Sequence, residues 1–283
     1  MTAAALIVLS GGGYYALSEA DESTAAETAT AVDLNLPLSA YRLGLRDQSD
    51  ARRAEGLLVD ACMKKAGFSW YAPVTPLPPD PLRRRYGVID SPVAERYGYH
   101  PPPDGFSADI ARRRLEILKG AKANAAYYGP EKARQQGCAV SSGQELARGA
   151  GNLTNTLADR LSWQSLEVSE KHPAVVSAFR AWKKCMHTRG YDYATPDDAM
   201  LDKAWKLESS SAAGPKERAV AAADVECKDE VDLVRIRVAA ETEIQRDVIA
   251  ANASELKSLA KRLDVYRKNV RSVLDRLDSP SGK

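Results

Sequence analysis

Apolar side chains recur at helical spacing along most of the chain, and almost nowhere do they alternate as strands require. In SDARRAEGLLVDACMKKAGF, Ser49 or Asp50 is placed to cap a helix carrying Ala54, Leu57, Leu58, Ala61 and Cys62 on one face, and Gly67 is placed to stop it. Proline is too frequent between about 69 and 106 for any regular element. Ser107 then opens a helix with Ile110, Leu115 and Leu118 on its apolar face, and a short helix and turn hold Cys138. The small residues ARGAGN at 147–152 mark a break.

Beyond that break, a helix is expected through Leu157, Leu161, Trp163 and Leu166, ending at His172-Pro173. The next helix begins on Pro173, aligns Phe179, Trp182 and Met186, and stops at Gly190. A short amphipathic helix follows in DDAMLDKAWKLESS, then a hinge at SSSAAGP. From Lys216 to about Leu277 there is no internal Gly or Pro, so a single long helix is expected. Its last part carries a heptad seam: Ile249, Leu256, Leu263, Val270 and Leu277, interleaved with Leu259, Tyr266 and Val273, with Asn252 as the polar member. That seam needs cover, from an antiparallel neighbour within the chain or from a second copy. Upstream, Val231, Val234, Val238 and Ile244 fit the heptad poorly. The expected fold is all-α: a helical bundle with a Pro-rich loop excursion, two disulfide-stapled halves (36–150 and 151–283) and a long, coiled-coil-like C-terminal helix.

The N-terminus changes the expected compartment. Residues 1–18 carry no charge, and 19–35 form an acidic, Thr-rich stretch expected to be a flexible linker. The first segment reads as a signal peptide or membrane anchor, although no Lys or Arg precedes the apolar run and GGG interrupts it. No cysteine follows it, so lipid attachment there is not expected.

Two of the four cysteines begin the same nine-residue phrase, CMKKAGFSW at 62–70 and CMHTRGYDY at 185–193. Each copy has one more cysteine downstream in its own half, so the economical pairing is Cys62 with Cys138 and Cys185 with Cys227, one of three possible connectivities. Such bridges belong to an oxidising compartment. No C-x-x-C pair supports zinc, and His100, His172 and His187 read as surface or capping residues.

A net charge of only +2 gives no global footprint for nucleic acid, and no reading motif accompanies the basic clusters. The Pro-rich excursion holds the candidate binding surface: Arg85, Tyr86, Arg96, Tyr97, Tyr99 and His100, built around two Arg-Tyr-Gly units. Guanidinium beside aromatic suits an anionic wall polymer or an acidic groove. The blander reading has the tyrosines capping the core while the arginines are solvated. Asp224 and Glu226 are expected on a charged helix face. No nucleophile elbow, zincin, phosphate-loop or dinucleotide motif is present, so no catalytic residue, metal or cofactor is expected.

LLVDACMKKAGFSW, RRYGVID with ERYGYHPP, WKKCMHTRGYDYATPDDA and AAADVECKDEVDLV together resemble uncharacterised exported or lipoprotein-like proteins of actinobacterial cell envelopes. The resemblance spans about residues 36–255 and implies an exported envelope protein of a kind pictured beside transport components. With no catalytic motif in the chain, the expected function is that of a non-catalytic extracytoplasmic protein, accessory to transport or cell-wall assembly. Its expected partners are another protein or a second copy through the C-terminal helix, with the membrane touched only by the N-terminus. The alternative is a secreted wall-polymer-binding protein or hydrolase with a cleft under the Arg-Tyr-Gly loop.

Overall fold

The computed structural model describes residues 34–70, 72, 81–102, 107–130, 137–207 and 212–277. The expected leader at 1–18 and nearly all of the expected linker lie outside them. The linker's end does not behave as a tether at Leu34, which is buried, as are Leu36 and Leu38 at the expected start of structure. Among the described residues there are eleven α-helices, three short 3-10 turns and no strand, the all-α class expected, although the helix Ser91–Tyr97 and the 3-10 turn Pro81–Arg84 form inside the stretch where proline argued against any regular element. None of these helices is long and apolar enough to cross a membrane.

In chain order the helices are α1 (Leu45–Lys65), α2 (Ser91–Tyr97), α3 (Ser107–Leu118), α4 (Ala121–Tyr128), α5 (Cys138–Leu146) and α6 (Leu157–Ser169). There follow α7 (Pro173–Thr188), α8 (Pro196–Met200), α9 (Pro215–Glu230), α10 (Leu233–Ala251) and α11 (Ala253–Leu277). α1 starts earlier than Ser49 suggests, because the Asp47 carboxylate accepts from the Gly44 amide and satisfies an otherwise orphaned donor there.

The expected single helix from 216 to 277 is three helices. Asp232 sits in the left-handed region, with φ of 55°, and separates α9 from α10; a short polar side chain tolerates that conformation better than most. At the second break, the Asn252 side chain donates to the Val248 carbonyl at 2.7 Å, competing with the backbone for it. The polar member of the seam is therefore the helix boundary.

These three helices form an axis on which most of the others pack, while α3 and α4 pack on each other and α4 on α1 and α5. α2, α7 and α8 lie on α9, α6 and α7 on α10, and α1, α5 and α6 on α11. Residue 150 is consequently no boundary between compact units, since helices from before it cover helices from after it, and Val32–Lys283 clusters as one unit. The heptad seam is used inside the chain. Leu256, Leu259 and Leu263 pack with Leu38, Ala158 and Leu161, while Val270 and Val273 pack with Ala51, Ala54, Leu58 and Leu146. Ile249, Tyr266 and Leu277 border the same clusters. Each fully buried leucine there contributes roughly 1.5–3 kcal/mol, so exposing the seam to a second copy would forfeit its internal cover.

Both disulfides form in the sequence order expected, Cys62–Cys138 and Cys185–Cys227. The repeated phrase is a helix stop used twice. Gly67 and Gly190 both have φ of 86°. The Phe68 amide donates to the Met63 carbonyl at 2.9 Å and the Tyr191 amide to the Met186 carbonyl at 3.0 Å, while the Gly67 and Gly190 amides donate to the Lys64 and His187 carbonyls, each at 3.0 Å. Met63 and Met186 are fully buried, and the aromatics beyond each glycine pack back over them. Nothing lies within 4 Å of a Cβ added at Gly190. Gly190→Ala should therefore cost only the left-handed backbone penalty, about 1–2 kcal/mol, read as a lower urea midpoint with an unchanged denaturant slope.

Candidate functional site

α9 and α10 bury a row of polar side chains at helical intervals: Glu217, Asp224 and Lys228, then Arg237, Glu241 and Gln245. The segment 81–100 lies across this row and is fastened to it by its own polar groups. At one end the Glu217 carboxylate accepts from the Tyr99 amide at 2.8 Å, the His100 amide at 3.2 Å and His100 Nδ1 at 2.8 Å. The Gly98 backbone runs so close that a Cβ there would stand 2.6 Å from Glu217 Oε1.

In the middle, Asp224 accepts from Trp182 Nε1 at 2.9 Å, the Tyr99 hydroxyl at 3.3 Å and Lys228 Nζ at 2.8 Å. Lys228 also donates to the Val88 carbonyl at 2.8 Å. Further along, Glu241 takes the Arg85 guanidinium, the Tyr86 hydroxyl at 2.7 Å and the Gln245 amide at 2.6 Å. Arg85 donates in addition to the Ser162 carbonyl at 2.6 Å, and Gln245 accepts from the Leu38 amide at 2.9 Å. Arg237 reaches Glu170 at 2.8 Å and lies over the rings of Tyr86 and Phe179, 4.9 and 5.4 Å from their centroids.

The candidate binding surface is thus largely interior. Tyr86, Tyr99 and His100 are buried, and the Arg85 side chain is 5% exposed. Only Arg96 and Tyr97 face outward, stacked on each other at 5.2 Å. The tyrosines do cap the core, but Arg85 is not solvated as the blander reading required. The Tyr86 and Tyr99 rings point into the interior and are each 1% exposed. Asp224 is fully buried rather than on a charged face, unlike its neighbour Glu226. Two residues expected on apolar faces, Trp163 and Leu115, are each 61% exposed; Trp163 lies beside the Arg85 guanidinium instead.

Burial and carboxylate partners set the proton affinities here. Burial first, then the charge of Asp224, pushes the Tyr99 hydroxyl far above the usual tyrosine range; burial and Glu241 do the same at Tyr86. Tyr193, bonded to Asp202 at 2.9 Å, is pushed up to about 12 by burial and that bond. Burial raises Asp224 against the opposing pull of Lys228, and raises Glu170 against Arg237.

The tyrosine shifts have a definite sign. A folded-state pKa above the unfolded value of about 10 contributes stability that is complete below pH ~10 and lost as pH rises through the folded value. In absorbance titration, Tyr86, Tyr99 and Tyr193 should ionise late or only as the chain unfolds in alkali. All 12 tyrosines titrating together with the fold intact would contradict the network.

Chemically, the arrangement binds the chain to itself: each buried carboxylate of the row already accepts from two or more donors of segment 81–100 or its neighbours. Sequence reasoning missed Glu217, Lys228, Arg237, Glu241 and Gln245. Their signal was present as polar residues at helical spacing among Ala and Val: seven then four from Glu217 through Asp224 to Lys228, and four then four from Arg237 through Glu241 to Gln245. No protein-family model, curated protein or solved structure matches the chain.

Proposed function

We propose that this is a non-catalytic extracytoplasmic protein of the cell envelope, attached through residues 1–18 or released after their removal, that works by binding a protein partner in transport or cell-wall assembly. The observation that carries the reading is the pair of intramolecular disulfides, Cys62–Cys138 and Cys185–Cys227, with no cysteine left over. Bridges of this kind persist in oxidising compartments and are rare in reducing ones. The inward engagement of Glu217, Asp224 and Glu241 supports a binding role over a hydrolytic one, because a general acid or base needs a free position facing its substrate.

The partner's surface lies away from the seam, which α1, α5 and α6 cover. Exposed Trp163 on α6 is the large aromatic best placed for it, tryptophan being among the residues that anchor interfaces. The test is to fractionate the native cell after blocking free thiols with an alkylating reagent. Full-length or leader-cleaved chain in the envelope or medium, with all four cysteines unmodified, is the expected result. A cytosolic chain with alkylated cysteines would overturn the reading.

A further inference from the structure

Asp224 and Lys228 stand apart from the other ion pairs. They are four residues apart on α9, so their side chains are neighbours on one helix face, and their side chains are 0% and 1% exposed. Arg85–Glu241 is comparably dry, but its cation is a guanidinium, a poor nucleophile. The remaining lysine–carboxylate pairs, Lys64–Asp60 and Lys119–Glu116, are open to water. Among the described residues, therefore, only Lys228 presents a primary amine to a carboxyl group in a water-free setting. Val88, Ala94, Tyr99, Trp182, Met186 and Trp205 belong to the surrounding cluster.

A dry interior disfavours separated charges. Moving one proton from the ammonium to the carboxylate removes both charges and leaves a free amine beside a carboxylic acid. Burial already pushes the Asp224 carboxyl in that direction. Around it, Trp182 Nε1 donates to Oδ1 at 2.9 Å, while Lys228 Nζ and the Tyr99 hydroxyl lie 2.8 and 3.3 Å from Oδ2. The Val88 carbonyl accepts from Nζ at 2.8 Å and fixes the orientation of the amine.

We propose that Asp224 and Lys228 condense to an intramolecular isopeptide, a side-chain amide between Lys228 Nζ and Asp224 Cγ. The Nζ lone pair attacks Cγ, and the negative charge that develops on Oδ1 is held by the Trp182 N–H, in the manner of an oxyanion hole. One proton of Nζ passes to Oδ2. The Cγ–Oδ2 bond breaks and Oδ2 departs as water, its leaving assisted by the Tyr99 hydroxyl. Amine and acid become amide and one water; no oxidant, metal or cofactor is consumed. Enforced proximity replaces an encounter between two reactants, and the product is a lactam spanning one helical turn. This modification goes beyond the interaction reading and does not depend on it.

Mass spectrometry of the full chain, reduced and denatured after purification, tests it. The expected mass is lower than the sequence mass, less any residues removed from the ends, by one water. Trypsin should then fail to cut after Lys228, leaving a peptide from Ala219 to Arg235 whose fragments show Asp224 and Lys228 joined. Asp224→Ala and Lys228→Arg should restore both the full mass and, in the former, cleavage at Lys228. Trp182→Phe, which keeps most of the ring and removes the N–H, should leave a measurable fraction of uncondensed chain even where the other two variants fold poorly. A full-mass wild-type chain with Lys228 cleaved after prolonged incubation overturns the proposal. So does loss of water with Lys228 still cleavable, the signature of a succinimide at an aspartate.

Discussion

Glu241→Ala should lower the unfolding free energy by about 3–5 kcal/mol, because it strands a buried cation. Arg85, with its side chain 5% exposed, would keep the Ser162 carbonyl but lose its counter-charge. The same substitution leaves the Tyr86 hydroxyl and the Gln245 amide without their acceptor in the core. Against a total stability of about 5–15 kcal/mol for a typical domain, that is a large share. Urea unfolding of the full chain reads it as a lower midpoint. Glu116→Gln is the contrast: it breaks an ion pair whose two side chains are 71% and 60% exposed, and the midpoint should hardly move. Equal effects from the two substitutions would mean that Glu241 holds nothing in place.

Removing either disulfide should be about as costly. With closed loops of 76 and 42 residues, the chain-entropy account assigns each bridge about 4 kcal/mol. Cys185→Ser with Cys227→Ser carries an additional penalty. Cys227 is fully buried in the cluster around Trp182, and Arg189 donates to its sulfur at 2.9 Å. Cys62→Ser with Cys138→Ser loosens the cluster of Val59, Met63 and Trp70 instead. Each double variant should unfold at a clearly lower denaturant concentration than the oxidised parent, and a reducing agent should bring the parent down at least as far. Insensitivity of the midpoint to reduction would remove the bridges from the account of stability.

Much of this fold is written in local pattern. The helical period, the glycine stops after Met63 and Met186 and the order of the cysteines each depend on residues close in the chain or on simple parity, so each is legible without coordinates. The break at Asn252 was half legible: its place in the seam was plain, but not that its amide would cap Val248 and end the helix. What stayed hidden was long-range. Arg85 and Tyr86 look like surface residues of a proline-rich loop, and Glu241 like a solvated helix residue. Their burial follows only from their meeting, across 155 and 156 residues of sequence. Asp224 was misplaced for the same reason, since each of its partners Tyr99 and Trp182 lies on another element. Trp163 fails in the opposite sense: the helical period places it on the apolar side, whereas it ends at the surface beside a cation that the period could not foresee.

The central claim is that segment 81–100 belongs to the core, fastened by Glu217, Asp224 and Glu241. Hydrogen exchange of the oxidised full chain, resolved by mass spectrometry at the amides of Tyr99 and His100, tests it most directly. Both amides donate to the buried Glu217, so they should exchange as slowly as the interior of α9, with which the segment would open only by global unfolding. Exchange at the rate of a solvated loop, with α9 still protected, would contradict the account.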